Sequence, residues 1–180
     1  MRTLIVFLMS SVVFCVSTLA KSPKTKVQWV SFEQLDSLMK VQPKKILMDI
    51  YTDWCGYCKS MDKDIYENEA AANYINTHFY AVKLNAEQKD SINFNGQIYP
   101  SKIMGKKKYQ QELAFTLLKG FMFYPSTILF DEQMQIIRKE SGYIAIIQME
   151  SMLKYYATNS YKKQPENEFL RSIRYEWRPG

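Results

Sequence analysis

The sequence predicts a single α/β domain in which a mixed central sheet is flanked by helices, and three observations lead there. Between residues 46 and 84 an apolar run, a stretch of helical period and a second apolar run follow one another, the order of a parallel strand pair joined by a helix. Residues 127–130 and 135–138 read as two short strands with so brief a connection that a hairpin must join them, which makes the sheet mixed. With 180 residues and 47% hydrophobic content, the chain has enough apolar surface for one real core, and disorder throughout is excluded.

Residues 21–28 form a polar lead-in, after which Ser31 precedes Phe32, Leu35, Leu38 and Met39 at helical spacing and caps an amphipathic helix. Gln42, Pro43, Lys44 and Lys45 make a turn. Residues 46–52 are an apolar run with a single acid, Asp49, and read as a central strand that leads into Asp53, Trp54, Cys55, Gly56, Tyr57 and Cys58. The period then becomes helical over 58–65 and again over 69–75, and 79–84 is the next strand. Residues 86–108 are polar, basic and broken by Gly96, Pro100 and Gly105, which predicts an ordered excursion or small hairpin outside the core. A helix over 110–118 closes this 86–118 insertion. Residues 120–124 lead to Pro125, Asp131, Glu132 and Gln133 join the two hairpin strands, and Gly142 precedes a last helix over 146–156. The domain thus spans 21–159. In the 160–180 tail, Phe169, Ile173 and Trp177 stand at helical spacing and predict a short helix packed on its own domain; Arg171, Arg174 and Arg178 offer the alternative of a partner-facing surface.

The first twenty residues are of another composition. Met1 and Arg2 precede eighteen uncharged residues, densest in apolar side chains over 4–16, and Ala20 offers a small residue at a cut before Lys21. This is the layout of a secretory signal peptide over 1–20, with an uncleaved membrane anchor or a lipid-modified Cys15 as alternatives. Each places the folded part outside the cytoplasmic membrane, with the periplasm as the expected compartment. The formal charge of +6, from 24 basic and 18 acidic residues, is spread along the chain and argues against nucleic acid as the main partner. The basic cluster Lys102, Lys106, Lys107 and Lys108 reads as a solvated face.

Removal of the leader takes Cys15 with it and leaves Cys55 and Cys58 alone in an exported chain. Such a pair is a small structural disulfide, a metal fragment or a redox centre. A zinc site of usual composition lacks ligands, since His78 is the only histidine and no metal site is expected. His78 itself, at a helix-to-strand junction, reads as a surface or dipole partner. A disulfide closing so short a loop stabilises little. A redox centre has a physical rationale: at the start of a helix, unpaired amides and the dipole stabilise a thiolate, which makes Cys55 the candidate nucleophile. Cys58, one turn on, is placed to attack the mixed disulfide. Gly56 is expected to permit the tight turn, and Tyr57 adds a ring beside the pair.

The stretch Met48, Asp49, Ile50, Tyr51, Thr52, Asp53, Trp54, Cys55, Gly56, Tyr57, Cys58, Lys59 resembles the active-site strand and helix of the thioredoxin superfamily. It looks closest to exported thioredoxin-like proteins and to the soluble carboxy-terminal domain of membrane thiol-disulfide interchange proteins. The resemblance extends over about 45–157, with the 86–118 excursion longer than in a minimal thioredoxin. It implies a thioredoxin-like fold and dithiol exchange with protein thiols or disulfides, without a bound cofactor, served by a membrane or soluble thiol-redox partner. By position, Asp49 matches the buried acid that moves a proton for the resolving cysteine, and an acid inside an apolar strand has independent reason to hold its proton more tightly. Lys83 matches the lysine near that acid. Pro125 matches the cis-proline that faces the cysteines, Tyr124 then borders the substrate groove, and Trp54 forms a partly exposed platform beside Cys55.

Tyr57 stands where a thioredoxin usually has proline, and the glycine and tyrosine between the cysteines are similar to bacterial periplasmic disulfide isomerases, whose separate dimerisation domain has no counterpart here. The expectation is a thiol-disulfide oxidoreductase working as a reductase. The alternatives are a binding or chaperone-like protein on the same fold with little thiol chemistry, and an assembly factor with a single partner. Oligomeric state is not legible.

Overall fold

The computed structural model describes residues 25–105 and 108–178. The signal-peptide reading of 1–20, and Lys106 and Lys107 of the basic cluster, lie outside the described residues. Helix α1 (Phe32–Val41) leads to β1 (Lys45–Tyr51), α2 (Gly56–Met61) with a π-helical continuation (Asp62–Tyr66), α3 (Glu69–His78) and β2 (Phe79–Asn85). Four short strands follow, β3 (Ile92–Phe94), β4 (Gln97–Tyr99), β5 (Ser101–Met104) and β6 (Lys108–Gln111), then α4 (Glu112–Leu117), β7 (Ser126–Phe130), β8 (Ile136–Ser141), α5 (Ile146–Ala157) and α6 (Glu166–Ser172).

The main sheet has the order β2-β1-β7-β8. Strand β1 is parallel to β2 and antiparallel to β7, and β7 is antiparallel to β8, so the sheet is mixed and helix-flanked as expected. The segment before α1 extends the outer edge of β2: Trp29 bridges to Ala81, and the Val30 N–H donates to the Ala81 carbonyl at 2.9 Å. Alternation along β1 divides the core. Ile46, Met48 and Ile50 face α1, α4 and the β3–β4 hairpin through Phe32, Leu35, Phe94, Leu113 and Leu117. Leu47, and with it Asp49, belongs to the opposite face, where Met61, Ile65, Ile75, Met149 and Leu153 close the core.

Local chemistry explains the element ends. Ser31 caps α1 in a capping box with Gln34. In the β7–β8 turn, Asp131 Oδ1 accepts the N–H groups of Gln133 and Gln135 at 2.9 and 2.8 Å. The helix expected over 58–65 begins at Gly56 and widens at Asp62, where the Glu67 N–H reaches back to the Asp62 carbonyl at 2.9 Å. The excursion consists of two hairpins, with Asn95 and Gly96 both at positive φ (54° and 75°) in the first turn. The helix expected over 110–118 starts only at Glu112, because Lys108–Gln111 pairs with Ser101–Met104 as a strand. Gln111 then ties the insertion shut: its N–H donates to the Ala86 carbonyl at 2.8 Å, its Nε2 to Tyr99 O at 2.9 Å, and its Oε1 accepts from the Leu113 N–H.

The tail differs from its helical spacing. Helix α6 ends at Ser172, and Trp177 is reached by extended chain. Trp177 is 2% exposed and meets Tyr74 edge-on with ring centroids 5.8 Å apart. The cause is a tertiary clamp: the fully buried Glu150 carboxylate accepts the N–H groups of Glu176 (2.6 Å) and Trp177 (3.0 Å) and pairs with Lys154 at 2.7 Å. Truncation of so buried an indole leaves a cavity, so Trp177→Ala is expected to cost about 3–5 kcal/mol. Urea unfolding of the two proteins measures this; equal midpoints would show that the strap contributes nothing.

Candidate functional site

Strand β1 runs through Thr52 directly into the N-cap of α2. Cys55 occupies that cap, its N–H donating to the Thr52 carbonyl at 3.1 Å and its Sγ accepting the Cys58 N–H at 3.1 Å. Cys55 and Cys58 form a disulfide with Cα atoms 5.3 Å apart, and both are buried, at 5% and 3% exposure. Gly56 requires correction: it has no positive φ, and a Cβ there would meet nothing within 4 Å, so the turn does not depend on glycine.

Aromatic side chains surround the recessed pair. Trp54 and Tyr57 are 66% and 70% exposed. The Trp54 indole N–H donates to Glu87 Oε2 at 3.0 Å, and its ring meets Tyr124 edge-on at 6.0 Å. Burial pushes the Tyr124 phenol up to about 12, and the Glu87 charge adds to the shift. The Tyr124–Pro125 peptide is cis, and the Pro125 carbonyl accepts the Gly142 N–H at 2.7 Å. Phe121 and Phe123, just before it, are strongly exposed. On the other flank Asp53, Trp54, Glu87, Lys89, Lys108 and Tyr109 line a cleft, so the excursion forms one wall beside the cysteines.

Beneath this surface, Asp49 stands opposite Lys83 in the β1–β2 register and opposite Thr127 in the β1–β7 register. It is 2% exposed, and its Oδ1 has no hydrogen-bond partner among the described residues. Burial pushes the carboxyl up to about 7; Lys83, with its Nζ 3.6 Å from Asp49 Oδ2, opposes the shift and Asp62 reinforces it. Lys83 itself hydrogen-bonds Asp62 Oδ1 and lies 4.9 Å from the Tyr51 ring centroid, 5.1 Å from that of Trp29 and 5.8 Å from that of Tyr66.

The residues singled out in the sequence thus fall into two groups: the recessed cysteines and Pro125 with the more exposed Trp54, Tyr57 and Tyr124, and the buried Asp49 with the half-buried Lys83. Asp62 and Glu87 were not foreseen. Asp62 stands one helical turn beyond Cys58, a spacing that could have marked it; Glu87 carries no local signal. His78 packs on Tyr74 with ring centroids 4.3 Å apart, and burial, then Lys44 and Lys45, holds its imidazole below the ordinary value. Lys102 pairs with Glu112 at 3.2 Å. Among the described residues no three His, Cys, Asp or Glu side chains gather as metal ligands.

An α/β fold with a cis-proline loop and a disulfide between cysteines three apart defines the class. Residues 32–157 match the thioredoxin-like domain family, and the chain belongs to that family. It is similar in fold to a thioredoxin-fold protein from Helicobacter pylori (20% identity, 72% of this chain and 78% of that one, TM-score 0.55). It is likewise similar to a thioredoxin from Thermus thermophilus (11% identity, 75% and 90%, TM-score 0.55). A putative disulphide-isomerase from Bacteroides thetaiotaomicron is a third (19% identity, 81% and 100%, TM-score 0.51). No curated protein matches the chain. The superfamily is shown, and the cysteine pair within it is consistent with redox activity.

The buried acid makes a stability prediction. Because Asp49 is raised from 3.8 to about 7, the native state keeps a proton that the unfolded chain has already released across that interval. Unfolding free energy therefore falls as pH rises from about 4 to about 7. At about 1.4 kcal/mol per unit the accumulated penalty is about 4 kcal/mol above pH 7. Asp49→Asn removes this dependence, and the variant gains on the wild type by that order between pH 4 and pH 8 in denaturant unfolding; a difference independent of pH would refute it.

Proposed function

We propose that the protein is an exported thiol-disulfide oxidoreductase that reduces disulfides in protein substrates. The observation that carries the reading is the Cys55–Cys58 disulfide at the N-terminus of α2, set among exposed rings, with a buried proton-holding acid on the strand that runs into it. In the reduced protein the Cys55 thiolate attacks one sulfur of a substrate disulfide and expels the other as a thiolate. Cys58, its proton passed to Asp49, then attacks Cys55 Sγ, which re-forms the intramolecular disulfide and frees the second substrate sulfur. Two electrons pass to the substrate, and a dithiol reductant must restore the pair. Trp54, Tyr57 and Tyr124 supply an apolar border against which an extended segment can lie, with the exposed Gly56 and the cis Pro125 beside them in the chain.

Chemistry around Cys55 supports the reductase direction. A strong oxidant is one whose reduced form is stabilised. Here the sulfur accepts one N–H, from Cys58, while Asp53 and Glu87 bring two carboxylates beside Trp54, the residue before Cys55, and negative charge on that side disfavours a thiolate. The leader layout of 1–20 supports export, and the affinity to exported interchange proteins drawn from residues 48–59 belongs to the same reading.

The exposed Trp54, Tyr57, Phe121 and Phe123 favour a second reading, a binding protein that holds unfolded chains with little thiol chemistry. Equilibration of the mature protein in glutathione buffers, followed by alkylation of Cys55 and Cys58, separates them. The expected potential lies nearer the about −270 mV of a reducing thioredoxin than the about −120 mV of a strong oxidant. Cys55→Ser abolishes reduction of a protein disulfide, and Cys58→Ser accumulates mixed disulfides. Absence of a reversible disulfide at every ratio would leave the binding reading in its place.

A further inference from the structure

Lys83 carries more contacts than pairing with Asp49 requires. The two residues are directly opposite in parallel strands, and a lysine in that register could close on the buried carboxylate. Its Nζ instead hydrogen-bonds Asp62 Oδ1 and remains 3.6 Å from Asp49 Oδ2, longer than a hydrogen bond. Asp49 Oδ1 is left without a partner among the described residues. The ammonium is held by the rings of Tyr51, Trp29 and Tyr66, which come from β1, the lead-in segment and the π-helical turn.

The widened turn places this acid. Asp62 is the first residue of the Asp62–Tyr66 segment, its N–H shared between the Cys58 and Lys59 carbonyls, and Tyr66 ends the same segment. Asp62 and Lys83 lie beside a cleft lined by Lys26, Val27, Trp29, Tyr66 and Glu67. Their side chains are 38% and 23% exposed, whereas that of Asp49 is 2% exposed. The charged and titratable groups around the acid and its lysine are therefore Asp62 and Tyr66 on the π-helical turn, Tyr51 on β1, and Lys26 and Glu67 at the rim; Cys58 lies on the helix that this turn continues.

We propose that Asp62 is a positioning residue for Asp49: it draws the Lys83 ammonium toward the surface, keeps it from closing on the buried carboxyl, and so governs how readily Asp49 gives up its proton. The pair formed by Lys83 and Asp62 also joins the buried acid to the solvent-facing cleft. This rests on the oxidoreductase reading for the purpose of the proton, but the geometric claim stands apart from it. Without Asp62 the lysine turns fully to Asp49, the negative charge that disfavours its ionisation is gone, and both changes lower its proton affinity.

The test is a titration of the Asp49 carboxyl carbon by NMR in the oxidised protein, where no exchange chemistry is needed. Asp62→Asn is expected to move the Asp49 midpoint down by about one pH unit or more, and Asp62→Glu to restore it. In a Lys83→Met background only the direct charge effect of Asp62 remains, so the same Asp62→Asn change shifts the midpoint by less than it does with the lysine present. If Asp62→Asn does not fold, Asp62→Ser takes its place in the titration. An unchanged midpoint, or an equal shift with and without Lys83, would overturn the proposal. A parallel profile of mixed-disulfide resolution against pH should move with the midpoint. If the wild-type protein titrates as expected yet exchanges no disulfide, the oxidoreductase reading fails and the role of Asp62 in setting the Asp49 midpoint stands.

Discussion

The burial of β1 on both faces is the constraint to which the rest of the molecule answers. It is hydrogen-bonded on both sides, to β2 and β7, and every residue from Lys45 to Ile50 is buried. Such a strand favours apolar side chains, yet it holds a lysine at one end and a carboxyl near the other. Lys45 is answered by Glu132 in the β7–β8 turn at 2.6 Å. Asp49 is answered only in part, and the incomplete answer raises its proton affinity. The same strand, continued by three residues, delivers Cys55 to the start of α2, so the acid and the sulfur pair are built on one rigid element.

The site has two layers with different physics. At the surface, exposed rings and a recessed disulfide offer contact area that is already ordered before any partner arrives. Below it, a carboxyl, an ammonium and a second carboxyl are arranged among aromatic faces, where low dielectric makes a change of one charge felt by the others. The helix that carries the cysteines also carries Asp62, and its widening at that residue links the two layers through a single element.

Two additions to the core scaffold are secured in one manner, by a fully buried polar residue that hydrogen-bonds backbone groups of the added segment. Gln111 closes the 86–118 excursion against Ala86, Tyr99 and Leu113, and Glu150 clamps the final strap at Glu176 and Trp177. Buried polar groups of this kind cost stability when their partners are lost, which fixes where the added segments can lie. The first addition brings Glu87, Lys89 and Tyr109 to the side of Trp54; the second fills the core opposite.

What the sequence determined by itself is the order and type of the main elements and the identity of the sulfur pair. The alternation of apolar runs with helical period, the short hairpin connection and the capping serine are local signals, and each acts within a few residues of its effect. Cys55 and Cys58 were legible because their separation is local, and Asp49 because an acid in an apolar strand is conspicuous. Tertiary structure alone decided the rest. Trp177 has helical spacing from Phe169, but the Glu150 carboxylate, on a helix that precedes it by many residues, outbids another helical turn for its N–H. Residues 110 and 111 read as the start of a helix and become the end of a strand because β5 is there to pair with them. Asp62 and Glu87 acquire their roles from contacts across the fold, to Lys83 and Trp54, and charge partners at such separations leave no mark on local pattern.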